Sequence, residues 1–299
     1  MTQEVIEATG TTSIRQLARS TPGISLGFGE GGNSFGDNIY VRGFKANNDV
    51  YVDGVRDPGT SIHETFNTEQ VEVIKGPAGS VGGRGTTGGT LNIASKKPQD
   101  VDFYEFTTKL TSAGTKRQTV DLNWGENERL QFRLNGMLQD GATAGRDEAY
   151  DDRSGVSAAV RYEVSPNVTF EGDISHTQIE QMPDWGVPFI NGEDVGLANA
   201  PVPEFGVDPS TFYGMVGRDF QETEQTVATG RVIWDITPEM TLTNTLRGST
   251  SINDYILTAP SSVYDNGSTD PNDWTVGLSS KSWYQETDVL SNDLELAGK

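Results

Sequence analysis

From residue 102 to residue 297 the chain alternates apolar and polar residues in runs longer than ordinary soluble sheets use. Strands are expected near 102–113, 116–125, 128–140, 153–164, 168–181, 225–236, 240–258 and 281–297. In RLQFRLN, Leu130, Phe132 and Leu134 share one face, and Arg129, Gln131, Arg133 and Asn135 the other. VTFEGDIS sets Val168, Phe170 and Ile174 against Thr169, Glu171, Asp173 and Ser175; VSAAVRYEV sets Val156, Val160, Tyr162 and Val164 against Ser157, Arg161 and Glu163. Soluble strands usually run about 5–6 residues, whereas a tilted strand needs about 9–11 to cross a bilayer. The connections also sort by length. GENE (125–128), SPN (165–167) and TPE (237–239) are tight turns; roughly 141–152, 182–224 and 259–280 are long links. Short turns alternating with long loops is the pattern of a membrane β-barrel with its turns on the periplasmic side. Trp124, Tyr162 and Trp234 each lie near a strand end that runs toward a short turn. That is the place of an interfacial aromatic girdle, or else the chance aromatic content of a soluble sandwich.

Composition narrows the alternatives. No run of 18 apolar residues exists, so no membrane helix is expected. MTQEVIEATG has neither a basic start nor an apolar run. The chain is therefore either cytosolic, or its export signal has been removed or lies outside these residues. There are no cysteines, which excludes disulfides, thiolate chemistry and zinc–cysteine sites, and only two histidines, His63 and His176. His176 lies on an expected strand, where it could face the lumen. A net charge of −21 argues against nucleic acid. Residues 1–99 hold 9 basic and 10 acidic residues, while residues 100–299 hold 13 and 33. Composition changes near SKKPQD (95–100), and a domain boundary is placed there: 1–99 and 100–299.

The first part is Gly-rich. TTSIRQLAR (11–19) reads as a short helix with Ser13 and Gln16 in a capping box. NIYVRGF and DVYVDGV read as two short strands joined by a polar turn, with Arg42 and Asp53 inside the apolar pattern. Two stretches fit G-x-G-x-x-G, Gly27–Gly29–Gly32 and Gly83–Gly85–Gly88, but strands rather than helices follow them, which argues against a nucleotide fold.

TPGI (21–24), IYVRGF (39–44), VYVDGV (50–55), FNTEQVEVIKGPAG (66–79) and GRGTTGGTLNIASKKP (83–98) together resemble the plug domain of TonB-dependent outer-membrane receptors, most closely the ferric catecholate siderophore receptors. The resemblance implies a mixed α/β plug domain followed by an antiparallel transmembrane β-barrel. Barrels that hold a plug have about 22 strands, so the eight strands here imply that about fourteen more are missing from this sequence. It further implies a gated outer-membrane importer of a Gram-negative bacterium, without catalysis, resident metal or cofactor. The partners implied are a ferric siderophore, outer-membrane lipid, and TonB through a segment missing from this chain; the receptor would be a monomer. MTQEVIEATG matches no energy-coupling box. In the family, the arginines of RGF and GRG latch the plug to wall glutamates; here they are Arg42 and Arg84. The polar lumen would also let plug charges pair with inward wall residues such as Arg133, Glu171 or Asp173.

A ferric catecholate is anionic and aromatic, so its recognition needs cations and π-faces. The apical loops of the resemblance fall at 27–37, 45–49 and 56–67. Arg56 is the expected cation, or else an ion-pair partner of Asp53 or Asp57. Phe28, His63 and Phe66 are the expected aromatic contacts, and Asn33, Lys45 and Asn48 the polar ones. Trp185, Phe189, Phe212 and Tyr213 in the link 182–224 either close over a flat ligand or pack the loop onto itself. Phe28 and Glu30 stand where hydroxamate receptors often carry an arginine, which weakens that assignment. Other cargoes on the same machinery (hydroxamate siderophore, cobalamin, haem, glycan) stay open. So does a soluble all-β adhesin or binding module.

Overall fold

The computed structural model describes residues 1–27, 36–46, 49–58, 61–77, 87–127, 129–190 and 199–298. Two helices open the chain, α1 (Gln3–Ala8) and α2 (Ile14–Ser20). Helix α2 begins as its sequence predicts. The Ser13 side chain accepts from the Gln16 backbone N–H (3.3 Å), and the Gln16 side chain reaches back to the Thr12 N–H (2.9 Å). Helix α1 has no side-chain cap, so the signal that marks α2 is absent there.

Among the described residues seven short strands follow: β1 (Ile24–Leu26), β2 (Ile39–Val41), β3 (Phe44–Lys45), β4 (Val50–Val52), β5 (Val55–Arg56), β6 (Thr68–Lys75) and β7 (Gly89–Ser95). They form two sheets, β1-β2-β3 and β5-β4-β7-β6, the second with β4 parallel to β7. The expected strands NIYVRGF and DVYVDGV are corrected here. Each is a hairpin of its own, and the two halves belong to different sheets. Arg42 and Gly43 have φ of 53° and 83°, and Asp53 and Gly54 have 52° and 80°. Two consecutive left-handed residues make the tight turn whose twist matches paired strands. The charges in the apolar pattern therefore sit at turn tips. Ile6, Ile14, Leu17, Ile39, Val41 and Leu91 are among the buried side chains that join helices and sheets into one small core.

Eight long strands then form an antiparallel meander: β8 (Phe103–Leu110), β9 (Lys116–Trp124), β10 (Leu130–Asp140), β11 (Asp151–Ser165), β12 (Val168–Gln181), β15 (Phe220–Thr237), β16 (Met240–Tyr264) and β17 (Thr275–Gly298). Two short pieces, β13 (Phe189–Ile190) and β14 (Ala200–Pro201), lie in the link between β12 and β15; β13 pairs with β16. All eight long strands stand where the alternation places them. The last hairpin rises further than expected, because β16 and β17 stay paired from Met240↔Gly298 to Tyr264↔Thr275. The link between them shrinks accordingly.

The sheet is apolar on the face turned away from the N-terminal globule. On β10 the outward residues include Phe132 (44% exposed) and Leu138 (64%), while Gln131, Arg133 and Asn135 are buried inward. Outward Trp124, Tyr162 and Trp234 are each about two-fifths exposed, at the turn-proximal strand ends. The Tyr104 and Trp124 rings meet edge to face at 6.0 Å. His176 shares the outward side with Phe170 and Ile174 rather than facing the lumen, and its Nδ1 pairs with Thr226 Oγ1 at 2.9 Å. A water-soluble sheet buries its apolar face, and this one exposes it. Among the described residues no helix is long and apolar enough to cross a membrane.

Candidate functional site

The inward parity of the strands carries charge, and the N-terminal globule answers it. Glu64 is buried between two wall arginines: its Oε2 accepts from Arg117 Nη2 at 2.6 Å, and its Oε1 accepts from Arg153 Nη1. Arg133 grips Asp121 with two hydrogen bonds (2.9 and 2.8 Å) and reaches Glu69 at 3.2 Å and the Lys97 carbonyl at 2.8 Å. Lys96 closes that cluster on Asp121 at 2.7 Å. Glu171 receives Lys97 (3.0 Å), Arg161 (3.3 Å) and Arg231 (3.1 Å). Arg247 donates to the Val52 carbonyl at 2.7 Å. The expected pairing of plug charges with Arg133 and Glu171 is thus observed. Contact is close between these clusters as well: a Cβ on Gly155 of β11 would stand 2.7 Å from the Phe66 ring.

His63 is held on both ring nitrogens. Nδ1 meets Asp37 Oδ2 and Nε2 meets Asp57 Oδ2, each at 2.9 Å. A neutral imidazole has one N–H, so two carboxylate partners select the cation. Burial alone would lower the His63 pKa, but hydrogen bonds and charges from Asp37 and Asp57 outweigh it and raise it to about 10. The wall joins through Gln225, whose Nε2 donates to Asp57 Oδ2 (3.0 Å) and to Ser61 Oγ (2.9 Å).

Between α2 and the ends of the long strands lies a cavity of about 650 Å³. Among the described residues, five basic ones line it: Arg15 and Arg19 from α2, Lys109 from β8, Arg117 from β9 and Arg153 from β11. The acidic residues of its lining, among the described residues, are Asp151 and Asp184. Trp185 and Tyr150 also line it. Arg146 stitches the adjoining loops by ion-pairing with Asp184 (2.5 Å) and donating to the Pro209 carbonyl (2.7 Å).

The residues expected from the sequence fall in several places. Trp185 lines the cavity, whereas Tyr213 packs against the Ile190–Val202–Val263 cluster, which joins its loop region to β16. Phe66 and His63 are buried against the wall and border smaller cavities of about 200 and 40 Å³. Lys45 is exposed on β3. Arg56 is half-buried on β5. Burial raises the Asp49 carboxyl above its ordinary value, and the Arg56 charge opposes that shift. Arg42 is exposed at its turn. Phe28, Asn33, Asn48 and Arg84 lie outside the described residues. Sequence reading missed Glu64, Arg117, Arg153 and the pair Arg15 and Arg19. The wall arginines were legible as charges on the strand parity opposite the apolar one. The α2 pair was legible as two bases one helical turn apart.

A strand wall coated with apolar side chains and lined with polar ones, fastened by ion pairs to a small α/β globule, defines a plugged β-barrel protein. Residues 1–90 match the family model of the TonB-dependent receptor plug domain. The chain is 33% identical over 310 residues to the catecholate siderophore receptor Fiu of Escherichia coli (strain K12), covering 99% of this chain and 40% of that protein. It is 32% identical over 261 residues to the probable TonB-dependent siderophore receptor PiuA of Acinetobacter baumannii, covering 87% of this chain and 35% of that protein. The crystal structure of the closed form of the ferric-catecholate import receptor Fiu from E. coli K12 superposes with a TM-score of 0.89 at 31% identity, over 100% of this chain and 43% of the other. The chain belongs to the TonB-dependent receptors. It spans about two-fifths of the length of these curated relatives.

Proposed function

We propose that this chain is the plug and first wall strands of an outer-membrane active transporter that imports a ferric catecholate siderophore with energy delivered through TonB. The plug is assigned to residues 1–99 and the wall to 100–299, within a monomeric barrel of about 22 strands in a Gram-negative outer membrane. The observation that carries this reading is the wall's reversed polarity around a charge-fastened plug. The names of the relatives, catecholate and siderophore receptors, support the cargo class. Iron arrives already chelated, so the protein needs no metal ligands of its own, and import makes or breaks no covalent bond. Arg56, Lys45 and Trp185 are the proposed ligand contacts among the described residues. Phe28, Asn33 and Asn48 are proposed with them, and Arg42 and Arg84 as the plug latch.

The test is iron-restricted growth of a receptor-deficient strain carrying the full-length gene, with one siderophore supplied at a time. Growth with a ferric catecholate, lost when TonB is deleted, is the expected result. Growth only with a hydroxamate, cobalamin, haem or glycan cargo would transfer the machinery to that cargo. Full-length protein recovered as a detergent-free soluble monomer would remove the transporter reading.

A further inference from the structure

The 650 Å³ cavity reverses the charge of the molecule around it. The chain has 22 basic and 43 acidic residues, yet among the described residues this lining has five basic and two acidic ones. Four of the five bases are committed. Arg15 faces Asp37 at 3.4 Å and donates to the Gly36 carbonyl at 2.6 Å. Arg117 and Arg153 share Glu64, and Arg153 also holds Asp151. Lys109 donates to the Gly10 carbonyl. Arg19 differs. It is exposed at the last turn of α2 and, among the described residues, makes no ion pair or hydrogen bond. It lies one turn beyond Arg15, so both project from the same side of the helix. A cavity lined by one sign of charge with protein walls raises the local concentration of the opposite ion. A guanidinium can both pair with phenolate oxygens and stack on a ring.

We infer that Arg19 is the specificity-determining cation of this cavity, receiving an anionic catecholate complex there, with Trp185 as the neighbouring aromatic face. The inference rests on the importer reading and deepens it: the ligand-selecting charge lies on helix α2, outside the loops 27–37, 45–49 and 56–67. It also resolves how an acidic protein accepts an anion. The charge that receives it comes from the cavity lining, whose bases outnumber its acids among the described residues.

The experiment is calorimetric titration of full-length, detergent-solubilised receptor with the tris(catecholate) complex of ferric iron. The gallium complex is used in parallel to follow Trp185 emission, with Trp185→Phe identifying that signal. Arg19→Gln and Arg19→Glu should weaken binding by roughly tenfold to a hundredfold, the range for losing a charged hydrogen-bond partner. Arg19→Lys, which keeps the charge and loses the planar fork, should bind between wild type and Arg19→Gln, and the emission change should shrink in the Arg19→Gln and Arg19→Glu variants. Wild-type binding that survives Arg19→Glu unchanged overturns the role of Arg19 and leaves the importer standing. A wild-type receptor that binds no ferric catecholate overturns the cargo itself, and this inference falls with it. Because Arg19 is exposed and outside the buried core, the heat-unfolding midpoint of each variant serves as the folding control.

Discussion

At the scale of single residues, the plug is held by charges that no apolar pattern announces. His63 between Asp37 and Asp57 is the clearest case. His63→Ala should leave two carboxylates facing each other in a buried site, a loss of about 3–5 kcal/mol for a broken buried pair. Differential scanning calorimetry of the detergent-solubilised receptor should record it as a lower plug transition. The same site sets a pH dependence. The folded pKa of about 10 lies above the ordinary value of 6.5, so the stabilisation is fully present below about pH 6.5 and lost progressively as pH rises through about 10. The plug transition of wild type should therefore fall across that window. That of His63→Ala should not show this component, and a flat wild-type profile would contradict the cationic assignment.

At the scale of elements, the long strands were the legible part. Their two-residue period is written in every turn of the chain, and tertiary contacts had little to add. Residues such as Arg117 and Arg153 follow that period too, but which plug group meets them depends on docking, and no local pattern encodes docking. The two small hairpins were misread for a different reason. Arg42–Gly43 and Asp53–Gly54 carry turn chemistry, D-G above all, yet the apolar residues on either side continue the alternation through the turn. The loop between β12 and β15 was open between ligand closure and self-packing. Phe205 meets Trp274 of the β16–β17 link edge to face at 5.4 Å, and Tyr213 joins the same cluster with Val263 of β16 and Val276 of β17, so this part packs against the neighbouring hairpin. Trp185 stands apart on the cavity, anchored next to the Arg146–Asp184 pair. Arg146→Ala should release that loop while leaving the sheet intact. Hydrogen exchange should rise at 183–190 and 208–211, with β10 to β12 unchanged. Unaltered exchange in both loop segments would show that Arg146 does not hold them.

At the scale of the whole molecule, the sheet's polarity makes a depth-dependent prediction. Ile174 is 53% exposed at the centre of the outward face and opposes Ala158 and Ala228. Ile174→Arg should cost about 2–4 kcal/mol for folding into a bilayer, as cations on a lipid face do. Urea-titrated folding of the full-length receptor into lipid vesicles measures this; a cost near zero would place that face in water. The Glu64 clasp has a mechanical consequence. It joins β9 to β11 across the intervening β10, so one carboxylate quiets repulsion between two guanidinium groups. Lifting it out unmasks that repulsion, and the wall then pulls the displaced segment home. The plug would behave as a detent, yielding at a threshold and clicking back when tension ends. Single-molecule pulling on the amino terminus of the full-length receptor should find a reversible step that Glu64→Gln abolishes.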